Sequence, residues 1–155
     1  MEQESKEKNS LWEFIKFTVI AILIVVPIRL WIAQPFIVSG ASMEPTFDNG
    51  DYLIIDELSY NLRKPQKGEV VVFRYPLDPS KFFIKRIAGL PEETMEINGR
   101  KITLAENEYF VLGDNRSASS DSRIWGPVPE NLIVGRTLVR LWPITKLELM
   151  PGSTN

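Results

Sequence analysis

Hydrophobic and polar positions divide the chain into two unlike parts. Residues 1–10 (MEQESKEKNS) are polar and read as a cytoplasmic tail. From Leu11 the sequence runs LWEFIKFTVIAILIVVPIRLWIA, and Phe17–Ile28 carries no charge. Continued to Ala33, the run is interrupted only by Arg29. At a rise of about 1.5 Å per residue this spans about 25 Å, and adding Leu11–Lys16 makes a full crossing of a bilayer comfortable. Lys16 and Arg29 stand near the two ends, where long side chains reach back to the headgroups. Trp12 and Trp31 occupy positions expected of interfacial aromatics. A core helix of a soluble protein keeps a polar face, and Thr18–Ile28 shows none. The pattern predicts a single transmembrane anchor over residues 11–33, with the lipid bilayer as a partner. A large domain follows the anchor, so an inside N-terminus and an outside domain is the preferred orientation. A cleavable leader ending at Ser39-Gly40-Ala41 is the weaker alternative, because that point lies far beyond the apolar run and across Pro35.

From residue 34 to 155 the pattern changes to short apolar runs with punctuation. Phe36–Val38, Tyr52–Ile55, Val70–Tyr75, Phe82–Ala88, Met95–Ile97, Lys101–Leu104, Tyr109–Leu112 and Leu138–Trp142 read as strands. Asn49-Gly50, Pro76, Pro79, Asn98-Gly99 and Pro127-Val128-Pro129 break them. Asn98-Gly99 between MEI and RKITL predicts a type I′ hairpin. One short helix is expected over Pro129–Leu132, and no long amphipathic helix is visible. The fold class is mainly β: an antiparallel β-domain behind an N-terminal transmembrane helix.

Composition narrows the chemistry. The 155 residues contain neither His nor Cys. Imidazole bases, histidine metal sites, disulfides, thiolates and cysteine zinc sites are thereby excluded. A net charge of −2 supplies no basic excess for nucleic acid. No cofactor and no metal are expected.

Three stretches carry candidate chemistry. In Ser39-Gly40-Ala41-Ser42-Met43-Glu44-Pro45-Thr46, small residues admit a substrate backbone and leave N–H groups free for an anion. Alone it reads equally as an ordinary Ser/Gly loop. In Phe82–Pro91, strand alternation puts Lys85 on one face with Phe83 and Ile87, while Arg86 faces Ile84 and Ala88. Only one of the two can point into a core. A buried lysine lowered by about 2–3 from its usual ~10.4 supplies a neutral amine near neutral pH. The third stretch, Gly113–Gly126, is dense in hydrogen-bonding groups. Asp114, Arg116, Asp121 and Arg123 are expected to form ion pairs that fix it. Two arginines and the lack of a terminal Glu argue against a calcium loop. With no histidine available, a Ser–Lys pair is the remaining way to activate a serine.

The motifs SMEPT (42–46), KGEVVVFRYP (67–76), FIKRIAGLP (83–91) and GDNRSASSDSRIWGPVP (113–129) occur in this order in bacterial type I signal peptidases. The chain resembles that family from the anchor to Trp142-Pro143. The resemblance implies a membrane-bound serine endopeptidase that removes signal peptides from pre-proteins after small-x-small motifs, outside the plasma membrane. It implies Ser42 as nucleophile, Lys85 as general base and Ser119 as the residue orienting the lysine. Asp121 and Arg123 match a loop-holding pair, with Asp114, Asn115 and Arg116 as its frame. The oxyanion is expected to meet the amides of Ser42 and Gly40, since Gly40 stands where some members carry a serine. Phe36, Val38, Met43, Phe83 and Ile84 match positions lining pockets for the small residues at −1 and −3. Larger members insert a second β-domain before the GDNR motif. Here residues 89–108 leave room for one hairpin, which implies a minimal catalytic domain over 34–155. A self-cleaving repressor on the same fold would carry a DNA-binding domain, and a silent binding module would not need Ser42, Lys85 and Ser119 together.

Overall fold

A computed structural model describes residues 12–23, 25, 33–97 and 99–153. Residues 12–23 are helical (α1). Its apolar side chains are open on every side, with Trp12 58%, Phe14 69%, Phe17 73% and Leu23 66% exposed. Among the described residues no helix is long and apolar enough to cross a membrane. The expected tail, and Leu11, Ile24 and residues 26–32 of the expected anchor, lie outside the described residues.

The domain is built on one antiparallel sheet. Its strands are β1 (Ala33–Ile37), β2 (Tyr52–Asp56), β3 (Val70–Tyr75), β4 (Asp78–Gly89), β7 (Glu108–Leu112), β8 (Val128–Pro129) and β9 (Ile133–Trp142), in the order β1-β2-β9-β3-β4-β7-β8. A short β10 (Glu148–Leu149) pairs with β9. β5 (Thr94–Ile97) and β6 (Arg100–Thr103) form a separate hairpin. Pro35 is tolerated in β1 because an edge strand has ladder bonds on one side only. The unbroken apolar run Val70–Phe73 suits β3, which lies between β9 and β4.

Alternation along β3 feeds two cores. Val70 and Val72 join Val38, Met43, Phe47, Leu53 and Ile55. Val71 and Phe73 join Ile87, Tyr109, Val111 and Val128 on the other face. β4 alternates in the same way, so Phe83 and Ile87 pack with the second core and Ile84 with the first. The hairpin lies over Leu104, Phe110 and Leu112 through Met95, Ile97 and Ile102.

Several boundaries differ from expectation. β4 begins at Asp78 and runs through Pro79, which reads as a breaker in the sequence; regular pairing with β3 starts only at Phe82↔Arg74. β9 begins at Ile133, because Gly135 permits contact with the Asp56 carbonyl that a β-carbon would block at 2.4 Å. The expected helix over Pro129–Leu132 is a 3-10 turn at Glu130–Leu132. Two four-residue helices, α2 (Ser59–Leu62) and α3 (Ser122–Trp125), are too short to leave a periodic signal. Ile97 pairs with Arg100 and Gly99 has φ +76°, as the hairpin signal requires, while Asn98 lies outside the described residues.

Candidate active site

Ser42 follows β1 across a turn of small residues. The ladder closes at Val38, whose N–H donates to the Asp51 carbonyl and whose carbonyl accepts from Gly50, both at 2.9 Å. Gly40 then adopts φ +91°, a conformation that glycine takes without steric cost. Beyond it, the Ser42 carbonyl accepts from the Asn115 N–H at 3.0 Å, tying the serine to the polar loop.

Lys85 arrives from β4 on the face of Phe83 and Ile87, and is 4% exposed. Its Nζ lies 2.7 Å from Ser42 Oγ and donates to the Ile84 carbonyl at 2.9 Å. Among the described residues it forms no ion pair with a carboxylate, and the Phe83 ring centroid stands 5.6 Å away. Burial lowers its pKa from 10.5 to about 8, against the more distant charges of Asp121 and Asp114, which pull it upward. At 1.36 kcal/mol per pK unit, protonation here costs roughly 3 kcal/mol more than on an ordinary lysine. An amine that is largely neutral in mildly alkaline water, beside a hydroxyl, can take the hydroxyl proton.

The polar loop is held by two ion pairs. Buried Asp121 accepts from Arg123 Nε at 2.8 Å and Nη2 at 2.9 Å, and from the Gly113 N–H at 3.0 Å. Burial pushes its pKa up, but the guanidinium and the amide outweigh that and hold it at about 2. Asp114 pairs with Arg86, Nε at 2.8 Å and Nη2 at 2.6 Å, and accepts from Thr46 Oγ1 at 2.5 Å. Burial opposes its ionisation, yet these partners keep its carboxyl below the usual range. Gly113 is wedged where a β-carbon would meet Ser119 Oγ at 2.2 Å and the Ser42 carbonyl at 2.5 Å.

Set against the sequence expectations, Ser42 and Lys85 come together. Four details differ. Ser119 is buried beside Gly113, but among the described residues its hydroxyl makes no hydrogen bond to the lysine, and the Ile84 carbonyl accepts from Lys85 instead. The Gly40 N–H already donates to Asn49 Oδ1 at 2.9 Å, so of the two expected oxyanion donors only the Ser42 amide lacks a partner among the described residues. Phe36, Val38, Phe83 and Ile84 line a groove of about 510 Å³ that reaches Ser42 and Lys85. Met43 does not line it: fully buried, it packs with Phe47 and Leu53 beneath. Arg116 was expected to pair through its charge; its carbonyl instead accepts from Arg123 Nη2 at 2.7 Å.

Sequence reasoning passed over Gly113, Thr46, Asn49 and the pairing of Arg86. A glycine heading a polar loop was the available signal for the first. Asn49 read only as half of a turn dipeptide.

A family model described as signal peptidase, peptidase S26, matches residues 11–107 and 103–142. The chain belongs to this family. It is 36% identical over 177 residues to a probable signal peptidase I-2 of Synechocystis, covering 96% of this chain and 81% of that one. It is 33% identical to a signal peptidase I of Leptolyngbya laminosa (96% and 88% covered) and 36% identical to the mitochondrial inner membrane protease subunit 1 of Xenopus tropicalis (81% and 78%). A crystal structure of a signal peptidase I from Enterococcus faecalis aligns at a TM-score of 0.41 and 27% identity, over 48% of this chain and 97% of that one. Family membership makes the chain a peptidase of the signal peptidase I type, acting to remove signal peptides.

Proposed function

We propose that this signal peptidase works through a Ser42–Lys85 dyad. The observation that carries the reading is the 2.7 Å separation of Lys85 Nζ and Ser42 Oγ, at a lysine with no ion-pair partner among the described residues. Neutral Lys85 takes the Ser42 hydroxyl proton as Oγ attacks the scissile carbonyl carbon. The oxyanion forms against the Ser42 N–H. Collapse breaks the C–N bond, the ammonium returns its proton to the leaving amine, and an acyl-serine remains. Water, deprotonated by the same amine, then releases the product and restores Ser42. The buried Ser119 hydroxyl is assigned the role of accepting from the ammonium when it forms.

The substrate is a pre-protein segment lying as an extended strand in the groove between β1 and β4, adding to their edges. Small residues at −1 and −3 suit walls made by the bulky apolar side chains of Phe36, Val38, Phe83 and Ile84. Membrane attachment through residues 11–33 is part of the proposal, supported by the exposed apolar side chains of α1. The bacterial plasma membrane, with the domain on its outer side, is the location proposed.

The test is cleavage of a purified pre-protein by the wild-type protein and by Ser42→Ala at equal Tm. Cleavage by the wild type and none by the variant is expected; equal cleavage would remove Ser42 from the mechanism.

A further inference from the structure

We propose that Asn49 is a positioning residue of this site: by accepting from the Gly40 N–H, its side chain holds the turn that carries Ser42. The proposal rests on the Ser42–Lys85 reading and extends it. Among the described residues, the backbone from Ser39 to Ser42 is anchored at few points. The Ala41 carbonyl accepts from Glu44 at 3.3 Å and the Ser42 carbonyl accepts from Asn115 at 3.0 Å. Between Val38 and Ala41, the Asn49 Oδ1 contact at 2.9 Å is the one hydrogen bond to the main chain. Gly40 has no side chain to pack, φ is +91°, and no atom lies within 4 Å of where a β-carbon would stand. Such a residue has wide conformational freedom, and any drift at Gly40 moves the serine two residues on.

The turn presenting Asn49 is stiff by contrast. Buried Asp51 accepts from the Asp48 N–H and from Arg140 Nη1, each at 3.1 Å. The same Arg140 nitrogen donates to the Thr46 carbonyl at 2.8 Å. One side-chain amide therefore clamps a soft turn to a rigid one. Asn49 is itself exposed and is not among the residues lining the groove, so it acts through Gly40 rather than on the substrate.

The experiment measures kcat, KM and Tm for pre-protein cleavage by full-length wild type, Ser42→Ala, Asn49→Ala and Asn49→Asp. The strength of such a hydrogen bond translates into a fall of about twofold to tenfold in kcat for Asn49→Ala. KM and Tm should stay close to wild type. Asn49→Asp keeps an accepting oxygen in the same place and should recover most of kcat in high salt, where its added charge is screened. Wild-type kcat in Asn49→Ala overturns the proposal, as does a loss that tracks a fall in Tm. Failure of Asn49→Asp to recover activity also overturns it, since the amide nitrogen would then be the working group. If Ser42→Ala cleaves normally, the dyad reading falls and this one with it. If Ser42→Ala is dead while Asn49→Ala is fully active, only the positioning role falls.

Discussion

Lys85 and Arg86 are neighbours on β4, both largely buried, and their surroundings are opposite. Arg86 meets fixed acceptors on every side: both oxygens of Asp114, the Gly68 carbonyl at 2.7 Å and the Gly152 carbonyl. Lys85 meets one hydroxyl, one carbonyl and an aromatic face. Strand alternation sends the two side chains to different faces, and only one face carries a carboxylate within reach. Burial by itself does not distinguish a structural cation from a chemical one; the count of fixed anionic partners does. The paired cation ties Asp114 in place, and the next residue's amide holds the Ser42 carbonyl. The two thus serve one site in different ways, Arg86 by pairing with Asp114 and Lys85 by being able to lose its proton.

The largest effect should come from Lys85→Met, which keeps the volume and removes the amine. Cleavage should drop by about a thousandfold, within the range assigned to a general base. Stability should move the other way. With the folded-state pKa lowered from 10.5 to about 8, the wild type bears the cost of a buried ammonium fully below pH 8. Met removes that cost, so Tm rises at neutral pH, and the gain fades as pH climbs from 8 towards 10.5. A variant that is both inactive and less stable at pH 7 would contradict the contrast drawn here.

Arg86→Met breaks the other half. Asp114 would be left largely buried without its forked partner, and two carbonyls would lose a donor. Removing one member of such a pair costs about 3–5 kcal/mol, read as a lowered midpoint in denaturant. Arg86→Lys should recover only part of this, because an ammonium cannot span both carboxylate oxygens. A midpoint unchanged in Arg86→Met would mean that the ion pair is not what fixes the loop.

Gly113→Ala tests the junction between the loop and the serine. The added methyl must displace Ser119 or the Ser42 main chain, and overpacking of this kind costs about 1–3 kcal/mol. Cleavage should fall more than stability, because one of the two obstructing groups belongs to the nucleophile itself. Ser119→Ala in the same background removes the 2.2 Å clash and should restore part of the stability.

The unequal legibility of the two cations follows from the physics. The face shared by Lys85, Phe83 and Ile87 is a local period-two pattern, visible within five residues. The partners of Arg86 come from positions 46, 68, 114 and 152, which only the folded chain brings together. The strands follow the same rule. Val70–Tyr75 is readable to the residue because both its faces are apolar, whereas the start of β9 depends on a close approach to Asp56 that no local pattern encodes. Met43 misled for a related reason: adjacency to Ser42 suggested the groove, but the turn over residues 42–46 carries its side chain into the core. The Gly40 amide looked free in the sequence because Asn49 reaches it from nine residues away.

The smallest effect concerns how far Asp121 reaches across the comparison. Its charge is committed to Arg123, yet it still pulls the Lys85 pKa upward. The cleavage rate should therefore rise about tenfold per pH unit up to a bend near 8, where Lys85 becomes neutral. Asp121→Asn removes a negative charge and leaves Arg123 unopposed, so the bend should move to lower pH while the limb keeps its slope. A bend that moves to higher pH, or not at all, would mean that Asp121 does not act on the lysine. Stability supplies an independent readout in a lower pH range. The folded-state pKa of Asp121 is depressed from 3.8 to about 2, so its contribution is present above 3.8 and is lost as pH falls towards 2. Wild type should lose that increment between pH 4 and 2, and Asp121→Asn, which has nothing to protonate, should lose less over the same interval.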